Sequence, residues 1–132
     1  MHWLLILILL TCNVHAANHH PKIFLQKIMG DPHEGQLIVN HYCATCHAQH
    51  PLIPLGAPRQ QKLEDWQPRL KQNLKQLFKH VDEGFNAMPA RGGCFECTDH
   101  QLYLAILALL PKSTKLECDK IPISANNTNI KY

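Results

Sequence analysis

Cys43-Ala44-Thr45-Cys46-His47 is the stretch on which the reading of this chain turns. Two thiols three residues apart lie one helical turn apart and face the same side. Each can add to one vinyl group of a porphyrin, and the imidazole next in sequence is carried under the ring plane, where it can bind iron. C-x-x-C-H is the sequence of covalent c-type haem attachment. The competing readings are a chance C-x-x-C and one half of a zinc site.

Upstream of the motif, Asp31-Pro32 is a helix start, with Asp as cap and Pro at the first helical position. It predicts a helix from Pro32 to about Tyr42, with Leu37, Ile38 and His41 at helical spacing. Ile23, Phe24, Leu25 and Ile28 suggest a short amphipathic turn before it. Downstream, Pro51, Pro54, Gly56 and Pro58 make residues 48–64 a loop. A second helix is expected from near Asp65 to about Val81, with Pro68 in its first turn, an apolar stripe of Leu70, Leu74, Leu77, Phe78 and Val81, and Gly84 as its stop. A last helix begins at Thr98 or Asp99, carries Leu102, Ile106, Leu109 and Leu110, and is stopped by Pro111.

A second iron ligand is expected on a loop facing the other side of the ring. Met88, followed by Pro89 and set between two helices, is the candidate, because a thioether favours reduced iron. His50, His80 and His100 are its rivals, and a gap-filling core methionine is the alternative role. Cys94-Phe95-Glu96-Cys97 is a second C-x-x-C. In an oxidising compartment it reads as a local disulfide, and a thiol–disulfide redox site is the other reading. Cys118 is left over, either free or pairing between molecules.

The ends of the chain read differently from its middle. Trp3 to Leu10 is an apolar run too short to span a bilayer, and Val14-His15-Ala16 fits a cleavage site, so residues 1–16 read as a signal peptide and the chain as exported to the periplasm. No Lys or Arg precedes the run; an uncleaved anchor or a lipid on Cys12 are the other possibilities, and peripheral proximity to a membrane stays open. Residues 17–110 form one domain and 111–132 a polar tail. The 132 residues carry a net charge of +3, too mild for a nucleic-acid binder. Arg59, Lys62, Arg69, Lys71, Lys75, Lys79 and Arg91 outnumber Glu64, Asp65, Asp82 and Glu83. This is either a solvated helix face or a positive face that steers a partner with an acidic docking surface.

Beyond the haem motif, Gly56-Ala57-Pro58, Trp66-Gln67-Pro68-Arg69 and the run from Gly84 to Asp99 (Gly-Phe-Asn-Ala-Met-Pro-Ala-Arg-Gly-Gly-Cys-Phe-Glu-Cys-Thr-Asp) resemble the class I c-type cytochromes, in particular the cytochrome c5 group of Gram-negative bacteria. The resemblance spans about Gly35 to Leu110. It implies a small all-α fold around one covalent haem c, with first and last helices crossing and Gly35 admitting the last helix near Ala105. It further implies haem attachment at Cys43 and Cys46, iron ligation by His47 and Met88, and a Cys94–Cys97 disulfide. Pro58, or Pro54 in its place, would support the proximal side, and Trp66 and Arg69 would meet a propionate. Three features depart from the group: a longer loop between His47 and Gly56, Val39 and Ala108 where an aromatic is common at the crossing, and the tail.

The function expected is that of a periplasmic electron carrier in a respiratory chain, meeting redox proteins by outer-sphere transfer, and not an enzyme. The alternatives are a haem enzyme or gas sensor with a labile distal ligand, and a structural zinc module built from the two C-x-x-C pairs.

Overall fold

Gly35 decides how the helices meet. A Cβ there would overlap the Leu104 carbonyl oxygen, so only glycine lets α2 (Glu34–Ile38) and α6 (Asp99–Leu109) cross at this separation. The contact falls one residue before the expected Ala105, on backbone rather than on a side chain. The computed structural model describes residues 20–114. The proposed leader with Cys12, and Cys118 with the tail from residue 115, lie outside the described residues.

Within that range every regular element is helical. α1 (Pro21–Ile28) begins with Pro at its first position and buries Leu25 and Ile28, a two-turn helix where an amphipathic turn was expected. Asp31 is not the cap that was expected: its Oδ1 accepts from the His33 N–H at 2.7 Å in a turn ahead of the helix, which starts at Glu34 rather than Pro32, with His33 at the cap position and no side-chain cap bond. The helix also runs further than expected. A π-helical segment, Val39–Cys43, joins α2 to α3 (Ala44–His47), so the helical path passes through the whole haem motif. The wider turn inserts one residue and rotates α3 relative to α2. Ile38 and Val39 are both fully buried on one side of that change.

The expected 65–81 helix is three pieces: α4 (Leu63–Trp66), a 3₁₀ turn (Arg69–Lys71) and α5 (Leu74–Glu83). Pro68 has no N–H to continue α4 and instead opens the 3₁₀ turn. Asn73 is extended, and its side chain accepts from the Gln76 N–H at 2.9 Å, so α5 starts on its own cap. Leu74 and Leu77 are buried, with Leu70, Phe78 and Val81 packed against the core. Gly84, at φ +85°, ends α5 as expected.

α6 starts with a reciprocal cap. Thr98 accepts from the Gln101 N–H at 3.1 Å, and the Gln101 side chain accepts from the Thr98 N–H at 3.0 Å. Leu102, Ile106 and Leu109 face the core, each contributing roughly 1.5–3 kcal/mol of burial. The crossing also holds a polar bridge. Buried Glu34 accepts from Gln101 Nε2 at 2.9 Å and from the Gly30 N–H at 2.8 Å, and Gln101 also reaches the Leu25 carbonyl at 3.3 Å. Glu34 and Gln101 together thus tie α2 and α6 to each other, to α1 at Leu25 and to the turn that follows it at Gly30. The C-terminal carbonyls of α6 are met by the 48–62 loop: Gln61 donates its backbone N–H to Leu109 and its Nε2 to Ala108, at 2.8 and 2.9 Å.

Candidate haem site

Cys43 closes the π segment and Cys46 lies in the following α-turn, three residues on, and both are half-buried free thiols. Burial, helped by the neighbouring Cys46, pushes the Cys43 thiol up to about 11. His47 ends α3 and is buried. Its Nδ1 lies 2.7 Å from the Pro58 carbonyl, which can only accept, so Nδ1 carries the proton. The tautomer leaves a lone pair on Nε2. Burial lowers the imidazole's proton affinity, the Arg69 charge adds to this, and the Pro58 bond opposes it. A neutral ring held by one backbone carbonyl and offering its other nitrogen is the arrangement of a metal-binding histidine.

The loop that supplies this carbonyl is fixed at several points. Its Ile53 N–H donates to Thr45 inside the motif at 3.0 Å, and its Gln60 N–H donates to the His47 carbonyl at 2.7 Å. Of the two prolines considered, Pro58 carries the contact. Arg59 bonds Asp65 through Nε at 2.7 Å and Nη2 at 3.0 Å. The guanidinium holds the Asp65 carboxyl well below the usual carboxylate range. Trp66 is buried and donates its only N–H to the Arg59 carbonyl at 2.9 Å. The expected propionate contact from Trp66 therefore has no free indole donor, and the residue acts as a strut under the loop. Arg69, half-buried, donates to the Asp65 carbonyl at 2.7 Å and lies 3.5 Å from that of Gly56.

Met88 lies on a tight turn closed by reciprocal Phe85–Met88 backbone bonds of 3.0 and 2.9 Å. A Cβ on Gly84 would come within 2.9 Å of the Met88 carbonyl oxygen, so the turn needs glycine before it. The 3₁₀ stretch after it, Ala90–Gly93, touches both α5 and the π segment that ends in Cys43. The fold thus brings the methionine loop against the haem motif. The rival histidines are placed otherwise. His50 and His100 are exposed, and His80 is stacked on Phe85 at 4.2 Å and bonded to Gln76 at 3.0 Å.

Cys94 and Cys97 are disulfide-bonded and buried. That removes both sulfurs from any zinc site shared with Cys43 and Cys46, and among the described residues no group of three or more His, Cys, Asp or Glu is placed to hold a metal ion.

Arg91 is a residue that sequence reasoning does not single out for the site. Its side chain, 21% exposed, binds Asp82 through Nη1, and through Nη2 the Cys97 carbonyl at 2.6 Å and Asp99 at 3.1 Å. Only its left-handed backbone, φ +55°, and the two glycines after it leave a local trace, and that trace is not readable as a bond pattern.

The residues present fit a haem. Two unpaired thiols at helical spacing and an imidazole with a free Nε2 make up the donor set for attachment and one axial position.

Comparison with known proteins agrees. Residues 30–106 match the family described as cytochrome C oxidase, cbb3-type, subunit III. The chain is 34% identical over 79 residues to cytochrome c5 of Azotobacter vinelandii, covering 58% of this chain and 92% of that protein. It is 30% identical over 87 residues to cytochrome c-555 of Chlorobaculum tepidum, covering 63% and 78% respectively. A chain from the crystal structure of an electron transfer complex of nitrite reductase with cytochrome c superposes with a TM-score of 0.52, at 30% identity, covering 60% of this chain and 91% of that one. With a helical fold, a C-x-x-C-H motif on a helix end and these relatives, the chain belongs to the class I c-type cytochromes, whose cofactor is covalently bound haem c.

Proposed function

We propose that this chain is a monohaem electron carrier of a respiratory chain, exported to the periplasm after removal of residues 1–16. Cys43 and Cys46 would hold the haem by thioether links, and His47 Nε2 and Met88 Sδ would bind its iron. The haem supplies a one-electron couple. The protein's part is to hold it, keep water from the iron and set its potential through the axial pair. If His47 and Met88 both bind the iron, no position is left for a substrate, and the chain would exchange electrons rather than act as an enzyme.

The observation that carries this reading is the 2.7 Å contact between His47 Nδ1 and the Pro58 carbonyl, which leaves Nε2 as the basic nitrogen of a buried ring. Among the described residues no helix is long and apolar enough to cross a membrane. Partners are redox proteins with acidic docking surfaces. Of the seven basic residues from Arg59 to Arg91, those two are neutralised by Asp65 and by Asp82 with Asp99, Lys62 and Arg69 are half-buried, and Lys71, Lys75 and Lys79 are exposed along one stretch. Lys79 makes only a long contact, 3.9 Å, with Glu83. The structural neighbour taken from a complex with nitrite reductase supports a redox-protein partner.

The test is Met88→Ala. It should leave the haem covalently attached, abolish the far-red iron–methionine band, lower the potential and let carbon monoxide bind the reduced protein. An unchanged spectrum would remove Met88 from the iron, and rapid carbon monoxide binding by the unaltered protein would favour a gas sensor or haem enzyme.

A further inference from the structure

Arg91 stands out for where its backbone is. At φ +55°, ψ +18° it occupies the left-handed region that residues other than glycine, asparagine and aspartate avoid, directly before Gly92 at φ +59°. Glycine at this position would relieve the backbone, yet the chain has arginine, and the side chain is mostly buried and engaged at both ends of its fork. Nη1 meets Asp82 on α5, while Nη2 meets the Cys97 carbonyl and Asp99 at the start of α6. The main chain closes the same circuit, because the Cys94 N–H donates to the Arg91 carbonyl at 3.0 Å and Cys94 is linked by disulfide to Cys97. The segment after Met88 is therefore one block that a single guanidinium joins to two helices. Met88 itself lies against this block, its Cε 3.6 Å from where a Cβ on Gly92 would stand.

We propose that Arg91 is the positioning residue that keeps Met88 on the iron, by clasping the methionine loop to α5 and α6. The inference rests on the Met88 ligation proposed above and goes beyond it, since it says which group resists opening of the distal side. The fork is what makes the clasp: a planar guanidinium holds two donor nitrogens apart in a fixed geometry, so that each meets an acceptor on a different element, whereas an ammonium donates from a single nitrogen.

The experiment uses the haem-loaded protein. The far-red band and the far-ultraviolet helix signal are followed together with temperature, carbon monoxide binding is timed on the reduced protein, and covalent haem is checked by intact mass. In Arg91→Gln, haem content is unchanged, the band disappears before the helices melt, and carbon monoxide binds about tenfold faster, the size expected for a lost charge-assisted hydrogen bond. Arg91→Lys recovers part of both effects. Leu25→Ala, which opens a cavity in α1 away from the loop, lowers the melting of helix and band together. If Arg91→Gln fails to accumulate with haem, Asp82→Asn weakens one jaw by removing its charge and gives a smaller change in the same direction. The proposal is overturned if band and helices still melt together in Arg91→Gln, if Asp82→Asn leaves carbon monoxide binding unchanged, or if Leu25→Ala separates the two signals equally. A missing band in the unaltered protein, or a band that survives Met88→Ala, marks failure of the ligation reading instead, and the clasp falls with it.

Discussion

His47 and Met88 are presented in opposite ways. His47 ends a helix, is next to one of the two attachment cysteines, and is oriented by one bond to the Pro58 carbonyl. Met88 is on a four-residue turn, and nothing in its immediate sequence ties it to the haem motif. Its position depends on Gly84 before it, the Arg91 fork and the Cys94–Cys97 bridge after it, and contact of the Ala90–Gly93 turn with the π segment. The histidine side is local and covalent in its logic, whereas the methionine side is tertiary. On the proposed ligation, a disturbance of folding should therefore reach the methionine first, with the haem still attached. Local opening free energies differ across a fold in this way, and loops held by few contacts open before helices do.

Three variants sharpen or break that contrast, in falling order of effect. Cys43→Ala acts on the local side, and most of the covalently retained haem should disappear from a haem-stained denaturing gel. Retention at the normal level would mean that attachment does not depend on the pair. Gly84→Ala acts on the tertiary side. Its backbone, φ +85° and ψ +159°, is open only to glycine, so the change should cost roughly 1–3 kcal/mol in denaturant unfolding and weaken the far-red band with haem still bound. Loss of haem instead would erase the distinction between the two sides.

Asp65→Asn is the mildest. It loosens the Arg59 pair behind the Pro58 loop without touching Met88. The folded Asp65 value is depressed, so the stability it adds is complete above the ordinary carboxylate value of about 3.9 and fades as pH falls towards the lower folded value. Unfolding midpoints of the two proteins should therefore differ slightly at neutral pH and converge in acid. A gap that widens in acid would mean the pair is not what Asp65 contributes.

Legibility from sequence divides along the same line. The haem motif, the Thr98 start and the Gly84 and Pro111 stops are signals carried by one or a few neighbouring residues, whereas the close approach at Gly35 comes only from the family resemblance. The disulfide is three residues long and equally local. The reading of one helix over 65–81 fails because its apolar stripe is real while two local breakers, Pro68 and the Asn73 cap, divide the backbone beneath it. The π segment leaves no sign, since one extra residue in a turn disturbs hydrophobic spacing too little to detect. The Glu34–Gln101 bridge and the Arg91 fork join residues 67 apart and 6 to 9 apart respectively. No propensity or period announces such pairs. The propionate role expected of Trp66 rests on position alone, and its only donor is engaged elsewhere.

The widened turn at Val39–Cys43 also governs where this chain tolerates a change of length. Adding or removing a residue in the 48–58 strap alters how much slack lies between fixed points. Removing one from Val39–Cys43 would restore ordinary helical pitch and swing everything after it by about 100° about the axis. The thiols would then turn away from their present side while Ile38 kept its place in the interior. An insertion or deletion at that point acts as a frameshift in space, leaving every side chain of the motif intact but aimed the wrong way.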